Sequence, residues 1–282
     1  MPEDGTSAAL TRSFSHNIED YPEGIVLPVD KPYRWTSADV IRKIKFAAIR
    51  HFGKKNLKVG HAGTLDPLAT GLLLVCVGKA TKLAEALQAS EKEYVATVEF
   101  GATTPSFDLE QPIDQYFPFE HITEDAVRAA LPQFLGPQDQ VPPVFSAKIV
   151  GGLRAYEYAR SGEPVELRTN RIEIYDIKLE NFTLHNEMTD DGYTVDEVVR
   201  HVHNYHTSST SDGTRPAATL RIRCSRGTYI RSLARDLGLA LGSGAYLTAL
   251  RRTRVGAIRV ENCYTIDRFL EELNTYEYVQ NK

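Results

Sequence analysis

One aspartate in this sequence stands in a setting that suits covalent chemistry. Asp66 lies in the segment from Lys58 to Gly71, among glycines and other small residues. The backbone of such a segment can approach a ligand closely. An aspartate with its ordinary pKa of about 3.9 is ionised at neutral pH, so its carboxylate can serve as a nucleophile. Taken alone, a loop aspartate is more often a turn former or a helix cap.

Positive charge is concentrated in two stretches of the chain. Residues 31–60 contain nine Lys or Arg and the single acid Asp39, and residues 221–260 contain nine Arg and the single acid Asp236. Each stretch therefore carries a charge of +8, although the whole chain carries −4. This distribution is typical of a protein that presents a basic face to a polyanion such as nucleic acid. Two solvated basic helices would give the same pattern.

Further motifs follow in a fixed order along the chain. They are Asp30-Lys31-Pro32, residues 78–82 (GKATK), Lys92-Glu93-Tyr94, residues 101–104 (GATT), residues 142–147 (PPVFSA), residues 226–231 (RGTYIR) and residues 244–253 (GAYLTALRRT). Together with the GHAGTLDP segment that contains Asp66, they resemble the signature of the TruB family of tRNA pseudouridine synthases. The resemblance covers most of residues 24–256, and it is specific because several long motifs must coincide.

The resemblance implies an enzyme that isomerises the uridine at position 55 in the T-arm of tRNA. This reaction breaks the bond from C1′ to N1 of a flipped-out base and rejoins the uracil through C5. Asp66 is the implied nucleophile, and Arg231 is its implied partner, because a planar guanidinium orients a carboxylate and stays charged when buried. Tyr94 matches the active-site tyrosine, whose ring can stack on the base and whose hydroxyl could assist removal of the C5 proton.

The resemblance also suggests which residues hold the RNA. Tyr229 and Leu250 match positions that line the uracil pocket, and His61 matches a residue that contacts RNA near the flipped nucleotide. By residue type alone, these three could equally be scaffold. Four basic residues fit phosphate contacts and could also be ordinary surface charges: Lys31, Arg226, Arg251 and Arg252.

Neither a cofactor nor a metal is predicted. The Gly78-Lys79 pair lacks the first glycine and the Ser or Thr of a phosphate-binding loop. The histidines at 185, 201, 203 and 206 lie in a polar stretch without cysteines, which favours a solvated spacer over a metal site. The three cysteines are odd in number and far apart, which indicates reduced thiols in the cytoplasm. We find no signal peptide or membrane span.

The hydrophobic pattern predicts the elements that position these residues. A strand over Gly24–Val29 leads to a helix that is capped by Ser37. Its inner face carries Val40, Ile41, Ile44 and Ala48, and its basic residues point outward. The remaining predictions are a loop at 60–71, a buried strand at 72–77, a helix at 79–88, strands at 94–100, 171–179 and 218–224, a helix capped by Thr123 through 131, an extended contact arm near 142–158, a helix at 228–237 stopped by Gly238, a strand at 255–260 and a helix at 267–273.

The predicted fold class is α+β. The resemblance implies the pseudouridine-synthase fold, with a mixed, largely antiparallel central sheet flanked by helices and an active cleft across it. We expect a polar tail at 1–20 and a catalytic domain at 21–260 with an inserted polar loop at about 185–216. The remaining extension, 261–282, is too short for the complete RNA-binding PUA domain that family members often carry.

Two other functions use the same basic face. One is a tRNA-binding folding factor that acts without catalysis, and the other is a guide-directed synthase for ribosomal RNA. The second would be expected to carry a PUA domain and protein partners. The presence of Asp66, Tyr94 and Arg231 together favours the enzyme, because a pure binder has no use for a carboxylate directed at phosphates. The expected partner is tRNA, with no obligatory protein partner and no membrane.

Overall fold

The computed structural model describes residues 14–146, 148–161, 167–184 and 215–280. The strands are β1 (Ile25–Lys31), β2 (Val59–Ala62), β3 (Thr70–Val77), β4 (Lys92–Phe100), β5 (Ala102–Thr103), β6 (Gln115–Tyr116), β7 (Gly136–Gln140), β8 (Ile149–Val150), β9 (Leu153–Arg154), β10 (Asn170–Leu184), β11 (Pro216–Cys224), β12 (Ala245–Val255) and β13 (Ile258–Arg259). The helices are α1 (Ser37–Phe52), α2 (Ala84–Ala89), α3 (Glu124–Ala130), α4 (Ala155–Ser161), α5 (Ile230–Ala240) and α6 (Ile266–Gln280).

The main sheet runs in the order β1-β3-β12-β4-β11-β10-β7, with β2 on β3 and β13 on β12. Its pairs are antiparallel except for β3 and β12, which run parallel where Thr70 faces Arg251. Helices pack against the sheet, so the α+β prediction with a mixed, largely antiparallel sheet is confirmed. All eight residues of β3 are buried, as the apolar run at 72–77 predicts.

The strand β12 lies in the middle of this sheet, between β3 and β4, and the hydrophobic pattern did not predict it. Three arginines interrupt its apolar residues, and they hide the alternation that marks a strand. Because β12 contributes Leu250, Arg251 and Arg252, this strand places three of the predicted site residues.

The N-cap of helix α1 is Thr36, one residue before the predicted cap Ser37. The Thr36 hydroxyl accepts from the Asp39 amide at 3.0 Å, and the Asp39 carboxylate accepts from the Thr36 amide at 2.9 Å. This capping box makes Thr36 the N-cap, so the prediction that Ser37 caps the helix is wrong. Val40, Ile44 and Ala48 are buried on the inner face, as predicted, whereas Ile41 is only half-buried.

Helix α5 continues past the glycine that was predicted to stop it. Gly238 lies inside the helix, and a Cβ on it would lie 2.6 Å from the Ala245 amide nitrogen. The glycine is therefore required by the close approach of β12 and not by a helix end. The predicted helix at 79–88 is divided into a 3-10 turn, Gly78–Leu83, and the short α2.

Both ends of the described chain pack on the core. Ile18 is 8% exposed in the 3-10 turn Ile18–Asp20, so the end of the predicted tail packs on the folded body, while residues 1–13 lie outside the described residues. Ile266, Phe269 and Leu273 of α6 are buried in the same core cluster, which makes this helix part of the body as well. The predicted loop at 185–216 lies outside the described residues, apart from Arg215 and Pro216.

Candidate active site

Asp66 lies in the loop between β2 and β3, in contact with an arginine of α5. The Arg231 Nη2 atom donates to Asp66 Oδ1 at 3.0 Å. The Asp66 side chain is 36% exposed, whereas that of Arg231 is only 3% exposed. A solvent-accessible carboxylate is therefore oriented by a buried cation, although the two residues are 165 positions apart in the sequence.

A second carboxylate, which the sequence analysis did not identify, lies on the other side of the arginine. Arg231 Nη1 lies 3.4 Å from Asp108 Oδ2, and Asp108 Oδ1 accepts from the Ser106 hydroxyl at 2.7 Å. Burial raises the pKa of Asp108, although Arg231 and Ser106 act against that rise. Burial also disfavours the charge on Arg231, but Asp66 and Asp108 together raise the pKa of Arg231 above its ordinary value. The guanidinium therefore stays charged.

Ser37, the first residue of α1, holds the residue that precedes Asp66. The Ser37 hydroxyl donates to the Leu65 carbonyl at 3.1 Å and accepts from the Leu65 amide at 2.9 Å. The Ser37 side chain therefore bonds to the loop that carries Asp66 and does not cap the helix. This fixes the backbone orientation from which the Asp66 side chain projects.

The predicted phosphate contact Lys31 is fully buried. Its ammonium group donates to the carbonyls of Pro32 at 3.0 Å, Trp35 at 2.5 Å and Pro67 at 3.2 Å. Burial lowers the pKa of Lys31 to about 8. This amine braces the loop that carries Asp66, and its contact with phosphate stays a prediction.

Two further arginines that were predicted to contact phosphate are occupied within the protein. Arg252 is 1% exposed, and its guanidinium donates to the carbonyls of Leu72 at 2.7 Å and Gly63 at 3.1 Å. Arg251 donates with both terminal nitrogens to the Asp30 carboxylate, at 2.7 and 3.2 Å. These side chains join β12 to β1, to β3 and to the loop that carries Asp66, and their contact with phosphate stays a prediction.

The close contact between β3 and β12 requires a glycine. Gly71 has φ of +98°, and a Cβ there would lie 2.3 Å from the Arg252 carbonyl oxygen. Only glycine fits this combination of a left-handed backbone and a backbone neighbour. The glycine at the end of the Asp66 segment thus lets the loop return to the sheet beside Arg252.

An open cleft brings six of the predicted site residues together. Its lining includes Asp66, Tyr94, Tyr229, Arg231, Leu250 and Arg252. These residues come from the loop between β2 and β3, from β4, from the start of α5 and from β12. The cleft therefore lies across the sheet, where the sequence analysis expects it.

Tyr94 lies in the centre of the sheet with its ring almost covered. It is 8% exposed and stands on β4 between Ile222 of β11 and Arg252 of β12. Burial raises the pKa of the Tyr94 hydroxyl, so the phenol is neutral at physiological pH. Its position in the cleft gives it a flat apolar surface with a polar tip.

Tyr229 is held by a side chain that the sequence analysis missed. The Tyr229 amide donates to Gln140 Oε1 at 2.8 Å, and Gln140 Nε2 donates back to the Tyr229 carbonyl at 3.1 Å. Gln140 is 3% exposed at the end of β7. This pair of hydrogen bonds holds Tyr229, at the start of α5, against Gln140, which lies just before the predicted contact arm.

His61 and Arg226 are not among the residues that line the cleft. His61 is half-buried on β2, and its burial, together with nearby Arg252, lowers its pKa, which keeps the ring neutral. Arg226 is exposed in the turn before α5. Of the four cations that were predicted to contact phosphate, Arg226 alone is exposed in a way that suits that role.

Two lysines that were not predicted contribute charge to the cleft. Lys92 is 5% exposed and donates to the carbonyls of Gln88 and Ser90. Burial lowers the pKa of Lys92 to about 8. Lys148, in the predicted contact arm, donates to Asn170 Oδ1 at 2.7 Å. Both side chains line the same cleft as Asp66.

Within the described ranges, we find no helix that is both long and apolar enough to cross a membrane. The same ranges contain no group of three His, Cys, Asp or Glu residues that could hold a metal ion. The histidines at 185, 201, 203 and 206 lie outside those ranges. Cys76, Cys224 and Cys263 are free thiols.

Family models match two parts of the chain. The N-terminal domain of the TruB family pseudouridylate synthases matches residues 50–191, and the C-terminal domain of tRNA pseudouridylate synthase B matches residues 231–281. The second match includes most of the segment that the sequence analysis separated as a short extension.

Curated relatives match over three quarters or more of their length. A tRNA pseudouridine synthase B from Phocaeicola vulgatus is 47% identical over 258 residues, which cover 92% of this chain and 97% of the relative. The protein of that name from Thermobifida fusca is 43% identical over 250 residues, which cover 89% and 75% of the two chains.

Solved structures show the same architecture. A chain of a Cbf5-Nop10-Gar1 complex matches with a TM-score of 0.60 and 26% identity, covering 92% of this chain and 57% of that one. A chain of an H/ACA RNP bound to a substrate RNA that contains 2′-deoxyuridine matches with a TM-score of 0.60 and 25% identity, covering 93% and 57%. This chain therefore spans just over half the length of those structural relatives.

Proposed function

The chain belongs to the TruB family of tRNA pseudouridine synthases, and from this membership we propose that it isomerises the uridine at position 55 in the T-arm of tRNA. Conversion of uridine to pseudouridine in tRNA is the activity for which its curated relatives are named. The observation that carries the proposal is the exposed Asp66 carboxylate held at 3.0 Å by the buried Arg231 in a cleft that Tyr94 also lines.

In the proposed reaction, the Asp66 carboxylate provides the negative oxygen that cleavage of the glycosidic bond requires. The C1′–N1 bond breaks, the uracil turns, and a C1′–C5 bond forms. C5 then loses its proton and N1 gains one, so atoms and electrons balance without a redox partner. Arg231 holds the carboxylate toward the nucleotide, and the buried Asp108 holds Arg231 from behind.

Tyr94, Tyr229 and Leu250 form the proposed pocket for the flipped uracil. A phenol ring can stack on the base, and Leu250 offers apolar packing to the other surface. Because burial raises the pKa of Tyr94, its hydroxyl is protonated and can accept the C5 proton only while it passes its own proton on. We therefore assign Tyr94 first to stacking and second to proton transfer.

The T-arm is the proposed partner because a hairpin loop presents bases that can be unstacked. Arg226, which is exposed beside the cleft, is proposed to contact a phosphate, and His61 to contact RNA near the flipped nucleotide. We further propose that residues 21–260 form the catalytic domain, that the protein acts in the cytoplasm and that it needs no protein partner for this reaction.

The experiment that tests this assignment replaces Asp66 with asparagine. Asp66→Asn keeps the shape of the side chain and removes its charge, so we expect tRNA to bind normally while kcat falls by at least about 10³-fold. Asp176→Asn, which changes a partly exposed and ion-paired aspartate on β10, serves as the matched control and should leave the rate unchanged. Substantial product from the Asp66→Asn variant would refute the nucleophile assignment.

The same experiment separates the enzyme from a tRNA-folding factor. A folding factor would lose nothing when Asp66 becomes asparagine, and the wild-type protein would form no pseudouridine. A chemical map of pseudouridine in tRNA that has been treated with the wild-type protein tests the position. We expect one modified site in the T-arm loop, and modification elsewhere would overturn the choice of substrate position.

A further inference from the structure

A line of basic and aromatic side chains runs along the outer face of α1. We call it the α1 stripe, and it consists of Arg34, Trp35, Arg42, Lys43 and Phe46, which line one groove. Phe46 is 72% exposed. The residues at 39, 42, 43 and 46 follow the spacing of one helical face. That face is opposite the buried Val40, Ile44 and Ala48, so the stripe is the surface that α1 turns away from the core.

The α1 stripe begins at the rim of the active cleft. The Trp35 carbonyl accepts from Lys31, whose ammonium group also donates to the carbonyl of Pro67, the neighbour of Asp66. The next turn of α1 is tied to the same loop by Ser37 and Leu65. At 1.5 Å per residue, Phe46 lies about 15 Å along the helix from this rim. A substrate that fills the cleft and continues over the rim would therefore meet the stripe.

The charge of the stripe suits a polyanion. Asp39 is the one carboxylate that lines the same groove, and it is engaged by the Thr36 amide at 2.9 Å and by Arg42 at 3.0 Å. Lys43 has no acidic partner among the described residues. An exposed phenyl ring between cations offers a stacking surface for an unpaired base, while the cations follow the backbone.

We propose that the α1 stripe binds a stretch of the tRNA outside the flipped uridine, with phosphates on Arg42 and Lys43 and an unpaired base on Phe46. This rests on the proposed function, since it takes tRNA as the substrate in the cleft. The stripe would supply affinity for the RNA without touching the reacting atoms, so it should act on binding and not on turnover.

Two variants test this with full-length protein and unmodified tRNA. The double variant Arg42→Ser with Lys43→Ser should weaken binding by roughly tenfold or more at 0.15 M salt and make the slope of log K against log salt shallower by up to about 2, since each phosphate contact contributes about 0.9. Phe46→Leu should weaken binding about fivefold or more, whereas Phe46→Tyr, which keeps the ring, should bind like wild type. The kcat at saturating tRNA should not change.

Two control variants match these changes elsewhere on the surface. Arg128→Ser removes an exposed arginine that is paired within its own helix, as Arg42 is, and Leu239→Ala removes an apolar side chain that is 64% exposed. Both should keep the wild-type Kd and salt slope. If the enzyme is active and both stripe variants bind tRNA with the wild-type Kd, the proposal that the stripe binds tRNA is wrong, while the proposed function stands. A wild-type protein that forms no pseudouridine would instead overturn the proposed function.

Discussion

Residues 31–60 and residues 221–260 carry the same charge of +8 and use it in opposite ways. In the later stretch, most arginines contact groups of the protein itself. The contacts made by its ion-paired or buried members are Arg221 with Glu93 and Glu180, Arg223 with Glu91, Arg231 with Asp66 and Asp108, Arg235 with Asp236, Arg251 with Asp30, Arg252 with backbone carbonyls, and Arg254 with Glu91. In the earlier stretch, α1 exposes Arg42, Lys43, Lys45 and Arg50.

The difference follows from where each stretch lies in the fold. The strands β11 and β12 occupy the middle of the sheet, and their side chains meet the acids that precede and begin β4. Helix α1 buries one face only, so its other face remains in solvent. Lys31, Arg226 and Arg259 are exceptions, since Lys31 is buried at the end of β1 and the two arginines are exposed. Net charge along a sequence therefore does not identify a binding face.

The largest effect should come from breaking the most buried contact of the later stretch. Arg231→Met leaves the buried Asp108 without its cation, and the loss of one partner from a buried pair costs about 3–5 kcal/mol of unfolding free energy. It also leaves the Asp66 carboxylate unoriented, so conversion of uridine should be nearly lost. Denaturant unfolding and single-turnover assays measure the two effects.

Arg226→Met is the matched control, because it removes an exposed arginine from the same stretch of sequence. It should leave the unfolding free energy unchanged and weaken tRNA binding only modestly. If the two variants lost equal stability, the contrast between inward and outward arginines would be wrong.

A smaller effect should come from keeping the charge of an inward arginine and changing its shape. Arg252→Lys cannot reach the carbonyls of both Leu72 and Gly63, and each unpaired buried carbonyl costs about 1–3 kcal/mol. Since Gly63 lies three residues before Asp66, we expect kcat to fall roughly tenfold to a hundredfold. The Kd for tRNA should stay near the wild-type value, because the charge is kept.

The exposed Arg259 offers the comparison for this change. Arg259→Lys should alter neither kcat nor the melting temperature. A large rise in Kd for Arg252→Lys with unchanged kcat would instead mean that Arg252 contacts phosphate, as the sequence analysis first predicted.

The smallest effect concerns a buried lysine in the cleft. The pKa of Lys92 is lowered to about 8, so its positive charge is present below that pH and is lost above it. The affinity for tRNA should therefore fall by roughly threefold, which is less than 1 kcal/mol, as the pH rises from 7 to 9. Kd measurements across this range, with wild type and Lys92→Gln, test the assignment. If Lys92→Gln kept the wild-type pH dependence, another group, such as Lys31, would be responsible for it.

The sequence predicted the elements whose side chains follow a simple period. The inner face of α1, the apolar β3 and the alternating β4 are examples, because burial alone specifies their pattern. It failed at β12, where arginines occupy a central strand, and at Gly238, where a neighbouring backbone requires the glycine. In both places, a residue was chosen by a contact with a distant part of the chain.

The candidate site divides in the same way. The motifs identified Asp66, Tyr94 and Arg231 as candidate site residues, and the structure places them around one cleft. Asp108 and Gln140 escaped notice, because a lone polar residue in a loop or at a strand end has no spacing that distinguishes it. Their partners lie in α5 or immediately before it, and only the folded chain brings them within hydrogen-bonding distance.

By itself, the sequence determined the local elements, the order of the motifs and the number of charges in each stretch. The tertiary structure decided which charges are available to bind RNA. Arg252 and Lys31 donate to backbone carbonyls, and Arg251 pairs with a carboxylate 221 positions away. Hydrogen bonds of this kind depend on distance in space, and a charge has no period along the chain that would reveal its partner.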